Sequence, residues 1–598
     1  MIYGLKPIDV AFIIGYFAAV LVIGFWAARR VKTEEDFFLG GRRFGKGLLV
    51  MHWLCTGTHS EMAVQVAGAT ARIGLGGIWY QWMWLFSTPF YWFIAPITRR
   101  MRVITTGDFF RIRYGRSLEM LYSIVALIYF TQSMALLLRG AGAAISGATG
   151  GELPMKRSVI GLSITFATYV MAGGLVSAVF TDVLQGVMII VLSLMLIPAG
   201  LAVVGGLSGL HEQLPAAMFS ITAPAGMNEG DPWFVLAMSA LGLTGIVAQP
   251  HVMGATASGR AETEARVGMT YGNFIKRLLT IAWAFTGLIA AVAFPEIISG
   301  YATGSEELMH ASETLFGRAI QEFLGDGWRG MMIACLVAGV TSAETFMVVG
   351  SAIFTRNFYI HAVPRQTDRH YLWVGRTASA AMLALSILMA FYAGSVTQLL
   401  IWSVQVVGLL GGPFWLGVFW RRANAPGVWA SFVGTLLAWG AMSLDASSLP
   451  DIYPLQWVAG GLTAAGEILH VRGMSKPAEI LITLSTEFGL LILISLLTRP
   501  HAAGQLDPFF ARLLTPVGKE SEVRWTDAPT DLPESATLGM DGVTLDYRKS
   551  SAYAYQGLQR FGIELPRMTW FDWGGFVVAW LFVGALLALM LFLTGFGA

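Results

Sequence analysis

The chain has 598 residues, of which 55% are hydrophobic and 13% charged, and its net charge is +2. Soluble domains carry about 25% charged residues, so this composition excludes an ordinary soluble protein, and the near-neutral charge argues against a nucleic-acid partner. The 69 Gly and 20 Trp also fit a polytopic helical membrane protein.

Stretches of about 18 or more mostly apolar residues suffice to cross a bilayer. Fourteen spans are predicted, at about 8–28, 48–70, 76–98, 118–145, 158–175, 178–205, 233–254, 271–297, 330–357, 371–394, 396–420, 427–445, 477–498 and 570–595. The first is followed by Arg29, Arg30 and Lys32, with no small-residue cleavage site, and reads as a retained helix. Cys55 and Cys335 both lie in apolar spans, so no disulfide framework is expected.

Lys and Arg concentrate in alternate loops. Arg42, Arg43 and Lys46 follow the first span, Arg99 to Arg116 the third, and Arg421 and Arg422 the eleventh. The intervening loops are poor in both. The positive-inside rule then puts the N-terminus outside, and an even span number puts the C-terminus outside too. By the same parity, residues 499–569 form a cytoplasmic loop, with no chemistry assigned to it. A cell inner (plasma) membrane location, multi-pass, follows.

The second span, LLVMHWLCTGTHSEMAVQVAGA, is interrupted at its centre by Cys55–Glu61. A helix break in lipid exposes carbonyls that only protein or a water-lined cavity can satisfy. Small residues also serve close helix packing, but His59 and Glu61 in the same turn are costly ionisable groups that point to function. The sixth span carries Asp182 about one turn inside the membrane, where it needs a cation or a hydrogen-bond partner. The seventh is broken by Gly242, Gly245 and Pro250, with Gln249 and His251 at the break. The ninth holds Thr341, Ser342, Glu344 and Thr345 in one turn; these hydroxyls either bind a hard cation or bond back to their own helix. Two Gly/Pro-interrupted spans in corresponding positions point to an inverted-repeat transporter, with repeats at 48–205 and 233–420 in a single domain.

The stretches DFFLGGRRFG (36–45), GGLVSAVFTDVLQG (173–186), VTSAET (340–345) and GPFWLGVFWRRAN (412–424), in this order, resemble the sodium/solute symporter family of sodium-coupled sugar, sialic acid, proline and pantothenate carriers; LDPFFARLLTPVG (506–518) resembles a late loop of some bacterial members. The resemblance implies an all-α integral membrane fold, the LeuT-type five-plus-five inverted repeat with extra flanking helices. It implies a sodium site from the carbonyls of Cys55, Thr58 and Ala338 and the hydroxyls of Thr341 and Ser342. It implies a second sodium site at Asp182, Thr341 and Thr345. Glu344 stands there in place of a small hydroxyl residue, and would ligate the ion, accept a proton or fill the site, so one or two sodium ions remain open.

The substrate candidates between the breaks are His59, Glu61, Met62, Gln81, Thr244, Gln249, Lys276 and Gln405. Each has a packing or capping alternative. Gln81 replaces the carboxylate of sugar carriers, and the AQPH run resembles carriers of proline-like substrates. The expectation is therefore a sodium-coupled importer, working as a monomer, of a small carboxylate or amino acid. The alternatives are a sugar or sugar-acid symporter, a proton-coupled variant with Asp182 or Glu344 as carrier, and a transporter-like sensor. No HExxH, GxSxG or clustered Cys/His motif suggests an enzyme.

Overall fold

The computed structural model describes residues 3–29, 42–103, 105–170, 174–222, 230–299, 305–341, 344–392, 395–443, 453–524 and 544–596. The described residues are helical, with only isolated β-bridges. The principal helices are α1 (Pro7–Ala28), α2 (Lys46–Thr56), α3 (Ser60–Ile73), α4 (Tyr91–Met101), α5 (Thr106–Tyr114), α6 (Arg116–Ala148), α7 (Met155–Val170), α8 (Gly174–Val204), α9 (Pro232–Ile246) and α10 (Pro250–Ala257). They continue as α11 (Glu262–Ala293), α12 (Glu306–Glu313), α13 (Leu315–Phe323), α14 (Trp328–Thr341), α15 (Glu344–Ile353), α16 (Asp368–Tyr392), α17 (Val396–Gly408) and α18 (Gly411–Phe419). The last are α19 (Ala425–Ser443), α20 (Tyr453–Ile468), α21 (Lys476–Leu497), α22 (Ala503–Leu514) and α23 (Trp570–Gly595).

Among the described residues, nine helices are long and apolar enough to cross a membrane, or ten if α9 and α10, bent by 59°, make one span. The sequence led to an expectation of fourteen. The other four expected spans fall on helices that are interrupted (α2/α3 and the turns before α4) or whose described parts are short (α7, α14 and α15).

Two long helices form the centre. The most apolar windows of α6 and α11 are each 78% buried, whereas those of α1, α16, α21 and α23 are only 22% buried. The outer helices therefore present apolar side chains to lipid, and α6 and α11 carry the core. Close approach to α11 depends on glycine: a Cβ on Gly272 would lie 2.7 Å from the Val50 carbonyl oxygen of α2. Gly140 of α6 likewise seats the Glu61 backbone of α3 directly against it.

Residues 503–524 and 544–572 pack on the end of the bundle that carries the arginine-rich loops. Arg102 reaches the carbonyls of Arg512 and Thr515 and pairs with Glu520 at 2.6 Å. Glu262 accepts from Arg100 at 2.8 Å and from the Val517 N–H at 2.8 Å. Arg421 pairs with Asp507 and Glu564, and Arg266 with Asp572.

Candidate functional site

The break in the second span lies between α2 and α3. The N–H of Gly57 donates to the Trp53 carbonyl at 3.1 Å and that of Thr58 to the Cys55 carbonyl at 3.1 Å, which closes the helix end. His59 is then extended (φ −127°, ψ 164°), and α3 restarts at Ser60. Thr58 and Ser60 are buried, and their side-chain hydroxyls have no hydrogen-bond partner among the described residues.

The C-terminal end of α14 packs against this break. A Cβ on Gly339 would lie 2.7 Å from the Ser60 nitrogen. The His59 ring meets the backbone of Gly339 and Thr56, and Ala338 is fully buried beside it. Cys55, Thr58 and Ala338 thus belong to one packed junction. Ser342 lies outside the described residues, as do the side chains of Thr341, Glu344 and Thr345.

Asp182 of α8 is buried and meets α2. Its carboxylate lies 2.7 Å from His52 Nδ1, and its carbonyl accepts from the Cys55 thiol at 3.1 Å. With an ionised Asp182, Nδ1 donates, while His52 Nε2 has no partner.

On α3 and its neighbours the polar side chains form a second group. Gln81 donates through Nε2 to Gln65 Oε1 at 2.9 Å, and Gln81 Oε1 and Gln65 Nε2 remain unpartnered. Glu61 Oε2 is also unpartnered, and Lys276 of α11 is within electrostatic reach of Glu61 and His59. The Lys276 ammonium lies 5.5 Å from the Trp84 ring centroid. Met62 is buried on the same helix.

The second break separates α9 from α10, with Gln249 as the N-cap and Pro250 opening α10, where its missing N–H costs nothing. His251 stacks with Tyr129, centroids 6.3 Å apart, and Phe346 of α15 lies 5.5 Å from His251 and 5.9 Å from His59. Phe346 thereby bridges the two breaks. A crevice touches both, lined by His52, Thr56, Asp108, His251, Arg356 and Asn357.

Two candidates point elsewhere. Gln405 donates to Glu479 of α21 at 3.5 Å. Thr244 backs onto Gly411 of α18 and lines an apolar chamber away from the breaks. Conversely, His52, Gln65 and Phe346 escaped the sequence reading, because their partners lie 130, 16 and 287 residues away or sit across a helix break. An unexplained polar or aromatic residue within a turn of each break was the only available signal.

A family model described as "Sodium:solute symporter family" matches residues 37–434. Sodium/myo-inositol cotransporter 2 of Oryctolagus cuniculus is 27% identical over 74% of this chain and 70% of its own length. That of Homo sapiens is 26% identical over 93% and 86%. The sodium/glucose cotransporter of Vibrio parahaemolyticus is 23% identical over 73% and 84%. In fold, the chain is similar to a Na+-coupled sialic acid symporter solved in a substrate-bound outward-open state, with a TM-score of 0.62 at 16% identity, covering 83% of this chain and 98% of that one. With two thirds of its length matched, from the first loop to α19, the chain belongs to the sodium:solute symporter family, whose members are membrane transporters rather than enzymes.

Proposed function

We propose that this protein imports a small neutral polyhydroxylated solute, a cyclitol or sugar, together with one sodium ion by alternating access. The observation that carries the reading is the meeting of two broken helices, α2/α3 and α9/α10, around a buried polar group and one crevice. Broken helices at mid-membrane are where transporters of this fold bind ion and substrate.

The sodium ion would sit among the carbonyls of Cys55, Thr58 and Ala338 and the hydroxyls of Thr341 and Ser342. Five uncharged oxygens suit binding that must also be reversible. The close approach of Gly339 to Ser60 supports this pairing of α14 with the break. The bond from His52 to one carboxylate oxygen of Asp182 supports a single ion, since it gives this buried carboxylate a partner from the protein itself.

Substrate would lie against Glu61, Met62, Gln81, Lys276 and Gln249, near His59. The opposed charges of Glu61 and Lys276 offset one another, which favours a neutral solute over the carboxylate suggested by the AQPH run. The free ends of Gln65 and Gln81 offer a donor and an acceptor, the pair a hydroxyl uses. The names of the relatives point the same way. Two inverted repeats, 48–205 and 233–420, would rock about this site, with both termini outside and the crevice opening inward.

Competition against labelled substrate in proteoliposomes tests the solute class. myo-Inositol or a hexose should compete at millimolar or lower concentration, and proline and acidic substrates should not. Competition by proline or a carboxylate alone would overturn the polyol reading while leaving sodium coupling intact.

A further inference from the structure

On the arginine-rich end of the bundle, an apolar chamber of about 610 Å³ opens between α4, α9, α18 and α21 and is closed by residues 555–573. Phe93, Leu243, Trp415, Phe488 and Leu558 line it. It shares Met568 and Trp573 with an adjoining, more polar chamber of about 780 Å³, whose lining includes Arg100, Tyr553, Arg567, Thr569 and Asp572. Each volume is that of a small-molecule site, about 300–1,000 Å³.

The depth of the two chambers follows from α23. Trp570 is 92% exposed and Trp573 47% exposed at the start of this apolar helix. Exposed indoles at the end of a span mark the headgroup level of a bilayer. The polar chamber therefore lies at headgroup depth, and the apolar one runs toward the acyl chains.

The charges are unbalanced. Glu262 takes both hydrogen bonds from Arg100, and Asp572 is held by Arg266 and Thr569. Arg567 has no carboxylate partner among the described residues, and it faces the polar chamber. Its backbone N–H is fixed to the Tyr553 carbonyl at 2.6 Å, so the side chain is presented from an anchored segment.

We propose that the joined chambers hold one anionic glycerophospholipid, its phosphate at Arg567 and an acyl chain between Phe93 and Phe488. Lipid would then brace residues 555–573 against α4, α9 and α18. A leaflet rich in anionic lipid faces the basic loops of membrane proteins, which supplies the occupant.

Native mass spectrometry of the full chain, delipidated and re-equilibrated with equal phosphatidylglycerol and phosphatidylcholine, tests this. One phosphatidylglycerol should be retained per chain, at least tenfold over phosphatidylcholine. Arg567→Glu and, separately, Leu558→Trp should each lower retention at least tenfold, and Arg567→Lys should stay within threefold of wild type. Thermal unfolding in phosphatidylglycerol nanodiscs should be several degrees higher than in phosphatidylcholine for the wild type only. Equal retention of the two lipids, or undiminished phosphatidylglycerol in both Arg567→Glu and Leu558→Trp, would overturn the assignment.

Discussion

Replacing Asp182 by asparagine tests how many sodium ions drive transport. The His52 ring nitrogen is 2.7 Å from one carboxylate oxygen, and both side chains are almost fully buried. His52 satisfies that oxygen without an ion, so a second sodium ion would have to be held by the other oxygen. One ion crossing with a neutral solute carries one charge. Moving that charge through 100 mV yields about 2.3 kcal/mol, or roughly 50-fold accumulation. Two ions would yield about 4.6 kcal/mol, or roughly 2,400-fold. The assay is steady-state accumulation in proteoliposomes at equal sodium on both sides, driven by an imposed potential of about −100 mV. Wild type and Asp182→Asn should both approach 50-fold. The variant should lose about 1.5–3 kcal/mol of stability, the cost of a buried hydrogen bond to a charged group. Accumulation far above 50-fold in the wild type that falls to 50-fold in Asp182→Asn would refute the reasoning and make Asp182 a sodium ligand.

Further consequences are equally direct. Gly339→Ala forces a methyl group to 2.7 Å from the Ser60 nitrogen and should cost about 1–3 kcal/mol, with a weaker apparent sodium affinity in uptake. Gln81→Leu removes the amide that meets Gln65, and should raise the KM for a polyol about tenfold or more with sodium affinity unchanged. For Glu520, burial pushes the carboxyl up, but the hydrogen bond and charge of Arg102, together with backbone N–H groups at Gly518 and Glu520, hold it below its ordinary value of 4.5. A lowered folded-state value means the contact stabilises at neutral pH and weakens as pH falls below that ordinary value. Amide exchange over residues 515–524, corrected for its intrinsic pH dependence, should rise there, and Arg102→Gln should give the same rise at pH 7.

The membrane class, the two helix breaks and Asp182 were legible in the sequence because each violates the rule of its surroundings. A glycine, a proline or an ionisable residue in an apolar run is conspicuous. The partners were not legible. His52 meets Asp182 across 130 residues, and Arg102 meets Glu520 across 418. Periodicity records which face of a helix is apolar, not which helix it faces. The loop at 499–569 read as chemically silent for the same reason: its salt links to Arg102 and Arg421 and its backbone hydrogen bond to Glu262 arise only in the folded bundle. Gln405 and Thr244 show the converse, since a polar residue near a break in sequence can point to another helix or another chamber. Span counting also differed, because the pieces of an interrupted helix are individually too short to register as spans.

We propose that a sodium gradient, acting through an ion held at the junction of Cys55, Thr58 and Ala338, drives solute entry. The most direct measurement is uptake of labelled myo-inositol or hexose into proteoliposomes with an inward sodium gradient, against the same liposomes with choline replacing sodium outside. The account predicts transient accumulation above equilibrium with sodium and none with choline, and loss of the sodium effect in Thr341→Ala with Ser342→Ala. Concentrative uptake of equal size in choline would contradict it.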